Sequence, residues 1–127
     1  MPRLKRSILL IEDDPRDAEV LLKRWQDRVP GCHVIIADSF AAARRVFLAE
    51  HDFDCVCMDL RLLPDDPDGL RTLELVRNQA PGVLIVVVSG HVSKEMLTLF
   101  ASLGGIYICK KGMAWTDLDP LFRLLNL

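Results

Sequence analysis

Four apolar runs end on residues that a phosphoryl-transfer site would use. Ser7 to Ile11 leads into Glu12, Asp13 and Asp14, and Phe53 to Met58 leads into Asp59. Val83 to Val88 leads into Ser89, and Ile106 to Cys109 into Lys110. If these runs are parallel strands of one sheet, their ends share an edge where carboxylates, a hydroxyl and an ammonium converge. Clustered carboxylates repel, and one takes a proton unless a cation neutralises them. A hard divalent ion answers that need, and Mg²⁺ typically takes one or two carboxylates plus phosphate oxygens. Moving a phosphoryl group asks a protein mainly for positioning and charge neutralisation.

The elements that must position these residues alternate along the chain. After the first strand, Asp14 reads as an N-cap and Pro15 as a first-turn residue. Ala18, Leu21, Leu22, Trp25 and Val29 then recur at helical spacing until Pro30-Gly31. His33 to Ala37 reads as a second strand. Ser39 caps a second helix with Phe40, Ala43, Val46 and Phe47 on one face. A third helix is expected from about Gly69 to Gln79, and a fourth, capped by Ser93, reaching Leu103. A last helix is expected over roughly Thr116 to Asn126, with Pro120 better suited to its first turn than to its interior. Strict βα alternation predicts an α/β fold with right-handed crossovers. The expected design is a flavodoxin-like, doubly wound, five-stranded parallel sheet, order 2-1-3-4-5, with five helices. Strands one and three are then neighbours, and ligands bind beyond the carboxyl ends of the strands.

Composition narrows the class. The chain has 127 residues, 50% hydrophobic and 27% charged, which suits one globular domain. A net charge of −2 gives no basic footprint for nucleic acid. No run approaches the ~20 apolar residues of a membrane span, and no signal peptide is read, so a cytoplasmic protein is expected. Of the four cysteines, Cys55, Cys57 and Cys109 sit in strand-like runs and Cys32 does not. Core thiols are expected, because no zinc-type spacing accompanies them.

The run ILLIEDD, Asp59 after an apolar strand, Ser89 after VLIVVV, and Tyr107-x-x-Lys110 together resemble the receiver domain of two-component response regulators, over essentially the whole chain. Each motif is common alone; their joint order is not. The resemblance implies that Asp59 is the phosphoacceptor, taking a phosphoryl group from a histidine kinase or phosphotransfer protein. It implies a Mg²⁺ site of Asp13, Asp59, the Arg61 backbone carbonyl and, through water, Glu12. Lys110 would clamp the phosphate, Ser89 would be the switch hydroxyl, and Tyr107 the aromatic coupled to it. Without the resemblance, Ser89 reads as a capping serine, Lys110 as a surface lysine and Tyr107 as a core aromatic. The family also implies a phosphoacceptor signalling protein rather than an enzyme, with Mg²⁺-dependent self-phosphorylation and slow autodephosphorylation.

Two loops depart from the family pattern. Pro64 stands at the fifth position after Asp59 and Asp68-Gly69 at the ninth and tenth, so this loop is two residues longer than usual. Its acids, Asp65, Asp66 and Asp68, read as solvated. Lys111-Gly112 replaces the usual proline after Lys110, and a trans bond is expected there, because a non-proline cis bond costs about 2.5–4 kcal/mol. Residues 1–127 are expected to form one receiver domain with no output domain, so signalling must use surface contacts. Surplus apolar residues in the fourth helix, among them Leu97, Leu99 and Phe100, and Trp115, Leu124 and Leu127 near the end, point to a downstream partner or a homodimer through the fourth helix, fifth strand and last helix. Nucleic acid and membrane are not expected partners. The main alternative is a receiver-like binding module that is never phosphorylated. A flavin-binding domain would want a Gly- or Ser/Thr-rich loop where Glu12-Asp13-Asp14-Pro15 stands. A haloacid-dehalogenase-type phosphatase would want an acid where Arg61 stands.

Overall fold

The computed structural model describes residues 6–49, 52–59, 64–66, 69–89, 94–102, 105–109 and 118–126. Strands and helices alternate: β1 (Ser7–Ile11), α1 (Pro15–Arg28), β2 (His33–Ala37), α2 (Phe40–Ala49), β3 (Cys55–Met58), α3 (Leu70–Gln79), β4 (Leu84–Ser89), α4 (Lys94–Ser102), β5 (Gly105–Cys109) and α5 (Asp119–Leu124). The strands form one parallel sheet in the order β2-β1-β3-β4-β5. The α/β class, the flavodoxin-like winding and the five helices match the expectation.

Period-two alternation sorts the strand side chains onto two faces. Leu9, Ile11, Val56, Met58, Ile85 and Val87 pack on one face with Phe47 of α2, Leu73 of α3 and Phe100 of α4. Ile8, Leu10, Cys55, Cys57, Val86 and Val88 pack on the other with Leu21 and Trp25 of α1 and Leu121 and Phe122 of α5. Both faces of β1 and β3 are buried, which explains their unbroken apolar runs. Trp25 meets Phe122 edge-on with ring centroids 5.0 Å apart, joining α1 to α5.

Local chemistry sets the helix starts. The Asp14 carboxylate accepts from the Arg16 amide at 2.8 Å, with Pro15 in the first turn of α1. Ser39 Oγ accepts from the Ala42 amide at 3.0 Å. Gly69 precedes α3 at φ 74°, a left-handed conformation that favours glycine, and offers no capping side chain. In α5, Pro120 lies within the first two positions, and the described helix starts at Asp119, later than the expected Thr116. The Ser93 cap and the Lys110–Lys111 bond lie outside the described residues.

β3 starts at Cys55 rather than at Phe53. The Asp54 amide donates to the Ser7 carbonyl at 2.8 Å while its carboxylate accepts from the Ser7 amide at 2.8 Å, which ends the ladder there. Phe53 turns into the core, edge-on to Phe47 at 5.7 Å. The apolar surplus of α4 is mostly core. Phe100 is buried, and Met96 and Leu99 pack against the same cluster. Among the described large hydrophobics of α4, Leu97 is the exposed one, at 37%. Leu99 is therefore a supporting core residue and not the exposed partner contact expected of it.

Candidate functional site

The register of the sheet builds the acidic site. Ile11 pairs with Ala37 of β2 and with Met58 of β3, so Glu12 and Asp59 are the first residues past a shared edge. The Asp59 amide donates to the Ile11 carbonyl at 2.9 Å, and the Glu12 amide to the Ala37 carbonyl at 2.9 Å. These two bonds carry the ladder one step further and fix both backbones. Glu12, Asp13 and Asp59 each offer a carboxylate oxygen, and the three oxygens lie within 4.8 Å of one another. Glu12 and Asp59 are buried, at 2% and 3% exposure.

Asp13 Oδ1 is buried and has no hydrogen-bond partner. An unpartnered buried carboxylate oxygen beside two more carboxylates is costly for the fold on its own terms. The donor set is all oxygen, and a hard divalent cation such as Mg²⁺ fits it. Beside the acids, an open groove of about 310 Å³ runs between α1 and β2, lined by Glu12, Asp13, Pro15, Ala18, Glu19, Leu22, Ile36 and Asp38. Asp14, grouped with these acids in the sequence, instead caps α1.

The other expected site residues are placed less fully. Ser89 closes β4 opposite Cys109 of β5, and Val87 pairs with Tyr107, so the backbones of Ser89 and Tyr107 belong to the β4–β5 ladder. Since Met58 pairs with Val87, the backbone of Ser89 extends past the same edge as Asp59. Their side chains, and all of Arg61, Lys110 and Trp115, lie outside the described residues. Cys55 and Cys57 share a strand face with their sulfurs 3.9 Å apart, both buried. Burial pushes the Cys55 thiol well up, reinforced by its hydrogen bond and charge coupling to Cys57, so it is a core thiol. Cys32 is partly buried against the same cluster.

The loop acids divide the expectation. Asp65 is exposed, as expected of a solvated acid, although it is hydrogen-bonded; Asp66 is buried and is not solvated. The Asp65 carboxylate accepts from the Phe40 and Ala41 amides at 2.7 and 3.0 Å, at the N-terminus of α2. Desolvation raises its carboxyl, but the Ala41 and Phe40 amides and the charge of Arg71 outweigh this and hold it below its ordinary value. Asp66 is buried at 3% exposure, and its Oδ2 accepts from the Thr72 amide and hydroxyl, both at 2.7 Å. Arg71 lies over the Phe40 ring at 4.2 Å. The available signal was indirect: Gly69 cannot cap α3, so an acceptor had to come from nearby.

Comparison with known proteins agrees with this geometry. The response regulator receiver domain matches residues 8–121. The chain belongs to the response regulator receiver domain family of two-component systems. It is 32% identical over 111 residues to the probable C4-dicarboxylate response regulator DctR of Bacillus subtilis, covering 87% of this chain and 48% of that protein. It is 26% identical over 121 residues to the glycerol metabolism activator of Pseudomonas putida, covering 94% and 54%. The chain thus spans about half the length of these curated relatives. The non-phosphorylated HemR receiver domain of Leptospira biflexa superposes with a TM-score of 0.82 at 26% identity, covering 97% and 96% of the two chains. A CheY-like receiver domain protein of Methanospirillum hungatei has a TM-score of 0.80 at 24% identity, covering 96% and 94%, a likeness of fold.

Proposed function

We propose that residues 1–127 act as a receiver unit that accepts a phosphoryl group on Asp59 and signals through a surface reshaped by that event. The observation that carries this reading is the clustered triad of Glu12, Asp13 and Asp59 with the unpartnered Asp13 Oδ1. Asp13 and Asp59 would hold Mg²⁺ directly, Glu12 through a water, and the Arg61 carbonyl would complete the protein's share. The ion, when bound, supplies positive charge to the phosphoryl oxygens.

An Asp59 carboxylate oxygen attacks phosphorus, forming the O–P bond as the P–N bond of a donor phosphohistidine breaks and the imidazole leaves. Lys110 neutralises phosphoryl charge as a mobile ammonium. Ser89 then donates a hydrogen bond to the new phosphate, with Tyr107 following, which is a two-state element biased by local charge. The donor is a histidine kinase or phosphotransfer protein, approaching over the groove beside α1. The output face is α4, β5 and α5, where Leu97 is exposed and where a downstream protein or a second copy would dock. We place this chemistry in the cytoplasm; among the described residues no helix is long and apolar enough to cross a membrane.

Incubation with acetyl phosphate and Mg²⁺ tests the reading by intact mass. A species heavier by the mass of one phosphoryl group is expected for the wild type and not for Asp59→Ala. Its absence from the wild type at short times would leave the unphosphorylated binding module as the better account.

A further inference from the structure

We infer that the groove between α1 and β2 receives the outer face of α2 from a second copy of this chain. The groove carries charge of one sign. Glu12, Asp13, Glu19 and Asp38 line it around an apolar floor that includes Leu22 and Ile36, and no cation stands among its lining residues. Ile36 is 43% exposed, an uncovered apolar side chain on the edge strand of the sheet. The surface of α2 has the opposite sign. This helix holds Arg44 and Arg45 and no carboxylate, whereas each of the other four helices carries both signs. Ala43 and Phe47 are its buried side, so Ala41, Arg44, Arg45 and Leu48 share the exposed side at helical spacing. Leu48, at 75%, is the most exposed of the described large hydrophobics.

The two surfaces cannot meet within one molecule. α2 packs through Phe47 on one face of the sheet, and α1 packs through Leu21 and Trp25 on the other. Among the described residues, Glu19, Asp38, Arg44 and Arg45 make no ion pair. Between copies they complement one another. The arginines meet the acidic rim while Leu48 enters beside Leu22 and Ile36, removing from water apolar surface that the single chain leaves exposed. α2 is held firmly for this contact, since Ser39 takes the Ala42 amide and Asp65 the Phe40 and Ala41 amides. Stripe and groove are different patches, so the contact is head-to-tail and leaves each end open to a further copy. One helix face is small beside the roughly 1,600 Å² of a standard interface, so the association is weak and needs concentrated protein. It requires no phosphoryl chemistry. On the receiver reading proposed above, a seated copy also lies where the phosphoryl donor approaches.

Sedimentation of the intact chain from micromolar to near-millimolar concentration tests the contact. The average mass should climb above that of one chain with concentration. The rise should vanish near 1 M salt, where the screening length falls to about 3 Å. Arg44→Glu/Arg45→Glu, which spoils the stripe, and Glu19→Arg/Asp38→Arg, which spoils the groove, should each stay monomeric. An equal mixture of the two should associate again, because every groove then finds a stripe of opposite charge. Far-ultraviolet circular dichroism checks that the variants fold. Should either double variant fail to fold, Leu48→Glu against Leu97→Glu decides the face, and only the former should lose association. A wild type that stays monomeric throughout would overturn the proposal and leave the groove to a different protein. Association that survives the charge reversals, or that Leu97→Glu abolishes while Leu48→Glu does not, would overturn it equally by placing self-contact on another face.

Discussion

The β1–β3 pair has carboxylates at both of its edges, and the two edges treat them oppositely. At the amino edge, Asp54 accepts from the Ser7 amide at 2.8 Å and meets the Arg6 guanidinium at 3.4 Å. That acid is satisfied by the chain beside it and ties the two strands together. At the carboxyl edge, Glu12, Asp13 and Asp59 crowd within 4.8 Å, and Asp13 Oδ1 has no partner. The same residue type is structural where the fold completes its bonds and receptive where the fold leaves them incomplete. Burial alone does not separate the cases, since Asp66 is buried yet its Oδ2 accepts from both the amide and the hydroxyl of Thr72.

The sharpest way to break this contrast is to neutralise one acid at each edge. Asp13→Asn should weaken Mn²⁺ binding by more than the roughly 10- to 100-fold that loss of an outer-sphere partner costs, and its metal-free melting point should rise as repulsion is relieved. Asp54→Asn should leave metal binding unchanged and destabilise by about 1 kcal/mol, measured by urea unfolding. Equal effects from the two variants would dissolve the distinction.

Thr72→Val extends the test to the engaged acid near the site. It removes the hydroxyl donor and leaves the Asp66 carboxylate with the Thr72 amide, for an expected loss of about 1–3 kcal/mol in urea unfolding. The smallest effect expected is that of pH on Asp65. Its carboxyl is held low in the folded chain by the α2 amides and Arg71, so its stabilising contribution is complete above the ordinary carboxylate value. That contribution is lost as pH falls through the lower folded value. Urea midpoints followed downward from neutral pH should therefore fall less in Asp65→Ala than in the wild type across that acidic window.

The acids at the sheet edge were legible because strand periodicity and chain order fix where a parallel strand delivers its last residue. Ile11 opposite Met58 follows from two apolar runs of known ends, and Glu12 and Asp59 follow from that pair. Asp65 and Asp66 were not legible, because a loop between prolines has no period and the amides that Asp65 holds belong to another element. The breadth of the apolar stripe on α4 misled for a related reason. Composition shows that Met96 and Leu99 are apolar, but only packing shows that they join Phe100 against the sheet. β3 lost its first two expected residues because the Asp54 side chain competes with the ladder for the Ser7 amide.

The paired thiols of β3 have a practical consequence. Cys55 and Cys57 are buried on the strand that leads into Asp59. An alkylating reagent can reach them only when that strand opens, so the rate of their modification reports the opening free energy of the strand that bears the acceptor. A cation held by the closed sheet slows the reaction by a factor of one plus the ratio of its concentration to its dissociation constant. Mass-resolved alkylation in increasing Mg²⁺ would thus read occupancy of the acidic edge from two sulfurs on the same strand, with no phosphoryl donor present.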